Sequence, residues 1–203
     1  MSQIKLKHSG GNSVIIAAPS SNPASDRTLT LPGDADGTIL TSNTATGKIL
    51  QVVSTTKTDT TSTTSIDTFV DISGMSVSIT PSSTGSKILV TVDMRVSAYT
   101  NRNGAIRLMR GSTPIYVGDS AGSRSQVTNA IRITDDARGE MHTESATFLD
   151  SPSTTSATTY KVQWCQTYGG SSDGFYLNRS QQDTDSNDRA RAASSITVME
   201  VAA

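Results

Sequence analysis

The stretch "KILVTVDMRVS" (residues 87–97) decides the fold class of this chain. Its residues alternate between apolar and polar, and the polar set is interrupted only by Leu89. Successive side chains of a β-strand point to opposite faces, so this alternation predicts a half-buried strand. The residues expected on its buried face are Ile88, Val90, Val92, Met94 and Val96.

Further strand patterns lie on both sides of this stretch, and no segment carries an apolar stripe with the helical period of 3.6 residues. Turn-forming residues separate the patterns. Such a series predicts an all-β fold, an antiparallel jelly-roll-like β-sandwich in which Val162 and Trp164 also face the core. The segments are 49–55, 76–81, two strands within 104–119, 129–134, 141–150, 158–167, 174–180 and 194–202.

The first 47 residues differ from the rest. They contain three short strand-like pieces, at 4–7, 13–17 and 27–31, separated by glycine, proline, asparagine and aspartate. Each piece is too short to bury much apolar surface by itself, so we expect this segment to need a partner surface. The sequence therefore predicts an extended N-terminal segment, 1–47, and a head domain, 48–203.

Composition excludes several function classes. The chain of 203 residues has 17 basic and 18 acidic residues, a net charge of −1, and so lacks the basic face that binds nucleic acid. No apolar run reaches the roughly 20 residues that span a bilayer, so we expect no membrane insertion. The single cysteine, Cys165, excludes an intrachain disulfide framework. Serine and threonine make up about three residues in ten, well above ordinary usage.

No catalytic set is evident, so we expect no enzyme activity and no cofactor. His142 and Glu144 share one strand face and could serve in acid–base work, but such a pair is more often solvated or interfacial. The acidic run 183–188, "DTDSND", resembles the start of a calcium loop. It has Asp188 where the sixth-position glycine belongs and Ser194 where the twelfth-position glutamate belongs. A solvated loop is the favoured interpretation of this run, and no metal site is predicted.

One loop is a candidate ligand site. The stretch "TYGGSSDGFY" (167–176) carries Tyr168, Asp173 and Tyr176, an aromatic and polar mixture typical of glycan-binding loops and also of ordinary surface loops. The Trp164 face, in a chain with few aromatic residues, is expected to belong to the core or to a subunit interface.

The N-terminal run "GGNSVIIAAPSSNPASDRTLTLPGDADGTIL" (10–40) resembles segments of a known group of proteins. It is similar to the N-terminal segments of virion structural and tail-fibre-like proteins of tailed phages that infect marine bacteria and cyanobacteria. The downstream stretches "KILQVVSTTKTDT", "SITPSSTGSKILV", "FLDSPSTTSATTYKVQW" and "SSITVMEVAA" are similar to the head domain of the same group. The resemblance covers nearly the whole chain.

This resemblance implies a non-enzymatic virion protein, made in the host cytoplasm and located on the virion exterior. It also implies a homotrimer. Of the two virion roles that remain, we expect a fibre- or knob-like appendage that contacts other virion proteins and a host-surface glycan. The alternative is a capsid decoration protein that stabilises the shell.

On either reading, we expect the "TLTL" residues to form an attachment strand that pairs with another subunit or virion protein, because their backbone groups need partners. They are Thr28, Leu29, Thr30 and Leu31.

Overall fold

The computed structural model describes residues 3–7, 9–11, 13–17, 47–99, 101–133, 139–168 and 174–202. These residues form thirteen β-strands and contain no helix. The strands are β1 (Gln3–Lys7), β2 (Ser13–Ala17), β3 (Ile49–Lys57), β4 (Thr61–Thr63), β5 (Val70–Ile79), β6 (Lys87–Ala98), β7 (Arg102–Arg110), β8 (Thr113–Ile115), β9 (Asn129–Ile133), β10 (His142–Asp150), β11 (Thr158–Tyr168), β12 (Phe175–Leu177) and β13 (Ser194–Val201).

The chain divides into two compact units, Met1–Thr44 and Ala45–Ala203. In the first unit, β1 and β2 pair as an antiparallel hairpin in which Gln3 lies opposite Ala17. The first two predicted strand pieces are therefore strands, and they supply each other's backbone partners. The third piece, 27–31, lies outside the described residues.

The second unit is an antiparallel sandwich. One sheet has the order β3-β13-β6-β10, with the short strands β12 and β4 extending it beside β6. The other sheet has the order β5-β11-β7, and both β8 and β9 pair with the free edge of β7. The chain thus crosses repeatedly between the sheets, and its last strands, β11 and β13, insert between earlier ones. This is the strand order of a jelly roll, so the predicted fold class is confirmed.

The core lies between the two sheets. The alternating face of β6 is completely buried, as predicted from residues 87–97. Trp164 and Val162 of β11 face it from the opposite sheet and are also buried. Burial of aliphatic and aromatic side chains is the main stabilising contribution in such a small-cored sandwich.

Strand β5 is longer than its sequence pattern suggests. Alternation predicted a strand from residue 76, but β5 starts at Val70. The buried residues Ile72 and Met75 are three positions apart, because the strand is bulged around Gly74, whose φ is +80°. A bulge inserts one residue and breaks the period of two, which hides the first half of the strand from pattern analysis.

Gly104 of β7 leaves room for an aromatic ring of the other sheet. A Cβ atom at this position would lie 2.6–2.9 Å from three ring carbons of Phe175, which is fully buried. That ring is also fixed by Trp164, whose ring centroid is 5.1 Å away. The ring is therefore packed closely against both the Gly104 backbone and Trp164.

We therefore expect Gly104→Ala to lower the free energy of unfolding by about 1–3 kcal/mol through overpacking. The matched control is Gly118→Ala, because a Cβ at Gly118 would contact nothing within 4 Å. Urea unfolding of both variants measures the difference. Equal unfolding midpoints for the two variants would show that the Phe175 ring can move aside without lowering the free energy of unfolding.

Candidate functional site

The outer face of the β6 sheet carries a row of apolar side chains across four neighbouring strands, exposed at its two ends and half-buried in the middle. Val52 of β3 lies opposite Met199 of β13, Met199 opposite Leu89 of β6, and Leu89 opposite Leu149 of β10. Val52 and Leu149, at the two ends of the row, are 56% and 51% exposed. We call these four residues the apolar ladder.

Exposed apolar side chains flank the apolar ladder at one end. Leu50 and Ile49, at the start of β3, are 47% and 49% exposed. Contiguous exposed apolar surface on a soluble protein typically marks a contact with another macromolecule. The apolar ladder is therefore the candidate functional surface of the second unit.

The next row of the same face is entirely hydroxylic. Ser54, Thr197, Thr91 and Thr147 lie opposite one another on the same four strands, and the Ser54 and Thr197 hydroxyl oxygens are 2.8 Å apart. Hydroxyl groups on a strand face remain well solvated in water. The apolar surface thus has a sharp polar boundary on one side.

One sequence signal pointed to the apolar ladder. Leu89 was the single apolar residue on the polar side of the 87–97 pattern, and it occupies a central place in the row. Val52, Met199 and Leu149 come from segments far apart in the chain. Their alignment depends on strand register, which the sequence pattern does not supply.

The tyrosines of the predicted ligand loop belong to different sheets. Tyr168 ends β11 and is 64% exposed, whereas Tyr176 lies on β12, half-buried, with the Arg179 guanidinium 4.1 Å from its ring centroid. Asp173 lies outside the described residues. The structure shows no contact between the two tyrosines, within the part of the chain that it describes.

The predicted attachment residues Thr28, Leu29, Thr30 and Leu31 also lie outside the described residues. Their pairing with another subunit or virion protein stays a prediction.

The His142 and Glu144 side chains have different partners. The His142 Nε2 atom lies 3.9 Å from a carboxylate oxygen of Glu140. Glu144 accepts a hydrogen bond of 3.1 Å from the Asn129 side-chain amide, and its partial burial raises its pKa. The hydrogen bond between Glu144 and Asn129 joins β10 to β9.

The acidic run 183–188 is held by arginines. The Asp183 carboxylate lies 3.3 Å from the Arg179 guanidinium and 2.6 Å from that of Arg191. Asp188 pairs with Arg189 at 2.6 Å. Across the described ranges, no group of three or more His, Cys, Asp or Glu side chains is placed to hold a metal ion.

The single cysteine is buried on the outward side of β11. Burial, aided by the nearby Asp67 charge, raises the pKa of Cys165 to about 11. A thiol with this pKa is protonated at neutral pH and is a poor nucleophile.

Comparisons with known proteins give a structural likeness but no sequence match. No protein-family model matches the sequence, and no curated protein matches it. The chain is similar to the crystal structure of the infectious bursal disease virus VP2 subviral particle, with a TM-score of 0.35 and 11% sequence identity. The match covers 93% of this chain and 48% of the other, so the present chain spans about half the length of that protein.

The structure holds no helix long and apolar enough to cross a membrane, among the residues it describes.

The strand order of the chain itself defines its fold as a jelly roll.

Proposed function

We propose that this chain is a non-enzymatic structural protein of a bacteriophage virion, a trimeric fibre- or knob-like appendage on the particle exterior that contacts the host surface. The observation that carries this proposal is the apolar ladder on the outer face of the β6 sheet. The resemblance of segment 10–40 to virion proteins of tailed phages supports the choice of particle.

The apolar ladder suits contact between copies of the chain. In a closed three-fold ring each copy sets the apolar ladder against a different patch of the next copy, so the row becomes buried in all three copies. Association replaces water around the half-exposed Val52 and Leu149 side chains with protein, which is favourable. A net charge of −1 causes little repulsion between copies.

The assembly prediction is tested by sedimentation of the full-length protein at micromolar concentration. We expect a trimer for the wild type and a monomer for the double variant Val52→Thr/Leu149→Thr. Threonine is β-branched, as strands favour, and it replaces apolar surface with a hydroxyl group. Unchanged circular dichroism would show that the sandwich remains folded.

The matched control changes two exposed threonines of the same strands, Thr56→Ser and Thr147→Ser, and should leave the trimer intact. A monomeric wild type would contradict the assembly proposal. A double variant that remains fully trimeric would show that the copies meet elsewhere.

The copy number of the chain in purified virions separates the two virion roles. A small fixed number per particle supports an appendage. A number that equals the positions of the capsid lattice would support the decoration alternative instead.

A further inference from the structure

A second surface feature, on the outer face of the β7 sheet, is a cavity of about 320 Å³. This volume falls within the roughly 300–1,000 Å³ of small-molecule sites. The residues that line it are Asp67, Ala105, Ser123, Arg124, Ser125, Val127, Ala130 and Thr167. We call it the β7 pocket.

The β7 pocket exists because the strands beneath it carry small side chains. Ala105 of β7 lies opposite Ala130 of β9 on one side and opposite Cys165 of β11 on the other. These short side chains leave a hollow on the sheet. The segment before β5 and the connection between β8 and β9 then stand as walls around it.

Backbone hydrogen bonds fix the wall that carries Asp67. The Asp67 N–H donates to the Gln166 carbonyl at 2.8 Å, and the Gln166 N–H donates to the Ser65 carbonyl at 2.8 Å. Asp67 itself has a φ of +53°, in the left-handed region that aspartate and asparagine tolerate better than most residues. The backbone of Asp67 is thereby fixed beside the cavity, and its exposed carboxylate lines the cavity.

The opposite wall, residues 123–125, is followed directly by a segment that hydrogen bonds fix to the protein. The Gln126 side-chain amide donates to the Gly118 carbonyl at 2.7 Å. The Thr128 N–H donates to the Ile106 carbonyl of β7 at 2.8 Å. The Arg107 Nε–H donates to the Gln126 carbonyl at 2.7 Å, and the Arg107 guanidinium lies 3.7 Å from the Phe69 ring centroid.

The two charged side chains that line the β7 pocket make no hydrogen bond or ion pair with other side chains of the described residues. Among the described residues, neither the Asp67 carboxylate nor the Arg124 guanidinium has a hydrogen-bond or ion-pair partner in a side chain. Most other arginines of the described chain are paired, as Arg95, Arg110 and Arg191 are with aspartates. A carboxylate acceptor and a guanidinium donor around one hollow are therefore available to a ligand.

We infer that the β7 pocket binds a saccharide residue. Sugar hydroxyl groups both donate and accept, which matches Asp67, Arg124 and the hydroxyl groups of Ser123, Ser125 and Thr167. The C–H faces of a sugar ring fit the apolar floor of Ala105 and Ala130. Fixed walls lower the ordering cost of binding. This inference extends the host contact of the proposed function and is independent of the apolar ladder, which lies on the other sheet.

The test is protein-detected NMR on the isotope-labelled full-length protein, titrated with methyl glycosides of glucose, galactose, mannose and N-acetylglucosamine. We expect at least one glycoside to bind and to shift the backbone amides of Ser123, Ser125 and Thr167. Asp67→Asn and Arg124→Ala should each weaken that binding about tenfold or more, because each removes a hydrogen bond to a charged group. Asparagine keeps the left-handed backbone at position 67 accessible.

Ala130→Leu fills the hollow without removing a polar group and should abolish binding. The control variants Asp119→Asn and Arg132→Ala change exposed charged residues outside the pocket lining and should bind as the wild type does. The inference is overturned if no glycoside binds or if all variants bind equally. It is also overturned if the free amino acid glycine binds in the β7 pocket while the glycosides do not. None of these outcomes alters the oligomeric state, so the assembly proposal is judged separately.

Discussion

Replacing Trp164 by alanine is expected to lower the free energy of unfolding by about 3–5 kcal/mol, the range for deleting a large aromatic side chain from a core. Trp164 is 1% exposed and packs against Phe175 at a centroid distance of 5.1 Å. Only 4% of the chain is aromatic, so few other large side chains can close the space that alanine leaves.

Urea unfolding measures this loss. Circular dichroism is the probe, because the chain has a single tryptophan and the variant has no tryptophan fluorescence. The midpoint should fall while the denaturant slope stays constant. Tyr168→Ala, on the same strand but 64% exposed, is the matched control and should change stability little. A Trp164→Ala midpoint equal to that of this control would place the stabilising core elsewhere.

Glu200 is expected to make the second large contribution, through a charge buried inside the sandwich. Its side chain is fully buried at the end of β13. Its carboxylate accepts hydrogen bonds from the Gln51 amide at 2.6 Å and from both the N–H and the hydroxyl of Ser82, at 2.7 and 2.6 Å. Burial alone would raise the pKa of Glu200, but the hydrogen bonds outweigh it and lower the pKa to about 2.

The pH dependence follows from the direction of this shift. The folded-state pKa of Glu200 lies below that of an unfolded glutamate, about 4.3, so the ionised carboxylate stabilises the folded state above that pH. The contribution is lost as pH falls from about 4.3 towards 2. A shift of this size corresponds to about 3 kcal/mol at neutral pH.

We therefore expect Glu200→Gln to lower the free energy of unfolding by about 2–3 kcal/mol at pH 7, because the new amide group faces the Gln51 and Ser82 donors. The difference between wild type and variant should shrink below pH 4, as the wild-type carboxylate becomes protonated. Denaturant unfolding at several pH values gives both quantities. Glu140→Gln makes the same chemical change at an exposed position and serves as control.

A constant difference between wild type and Glu200→Gln from pH 7 to pH 2 would contradict the lowered pKa. Loss of stability at pH 7 would then reflect packing alone.

Strand length and β-bulges decided how far the alternating pattern could be followed along the chain. Short segments such as β4 carry too few residues to show alternation, and its three residues, Thr61–Thr63, are all polar. The bulge at Gly74 removed the first half of β5 from the pattern for a different reason, since it shifts which residues face inward. Where alternation is continuous, as in β6, the predicted and observed strands agree to within one residue.

The sequence by itself determined the fold class and the inward face of most strands. Alternation is a local pattern, because the apolar or polar character of each residue indicates which face of its strand is buried. The structure, by contrast, was needed to show that Glu200 is buried on the same face as Ile196 and Val198 and is held there by Gln51 and Ser82. Only the tertiary structure decided which strands are neighbours. Long connections in the chain separate the neighbouring strands β3, β13, β6 and β10. Their register places four apolar residues in one row: Val52, Met199, Leu89 and Leu149. The β7 pocket has the same origin, because its small floor residues and its charged walls come from segments that only pairing brings together.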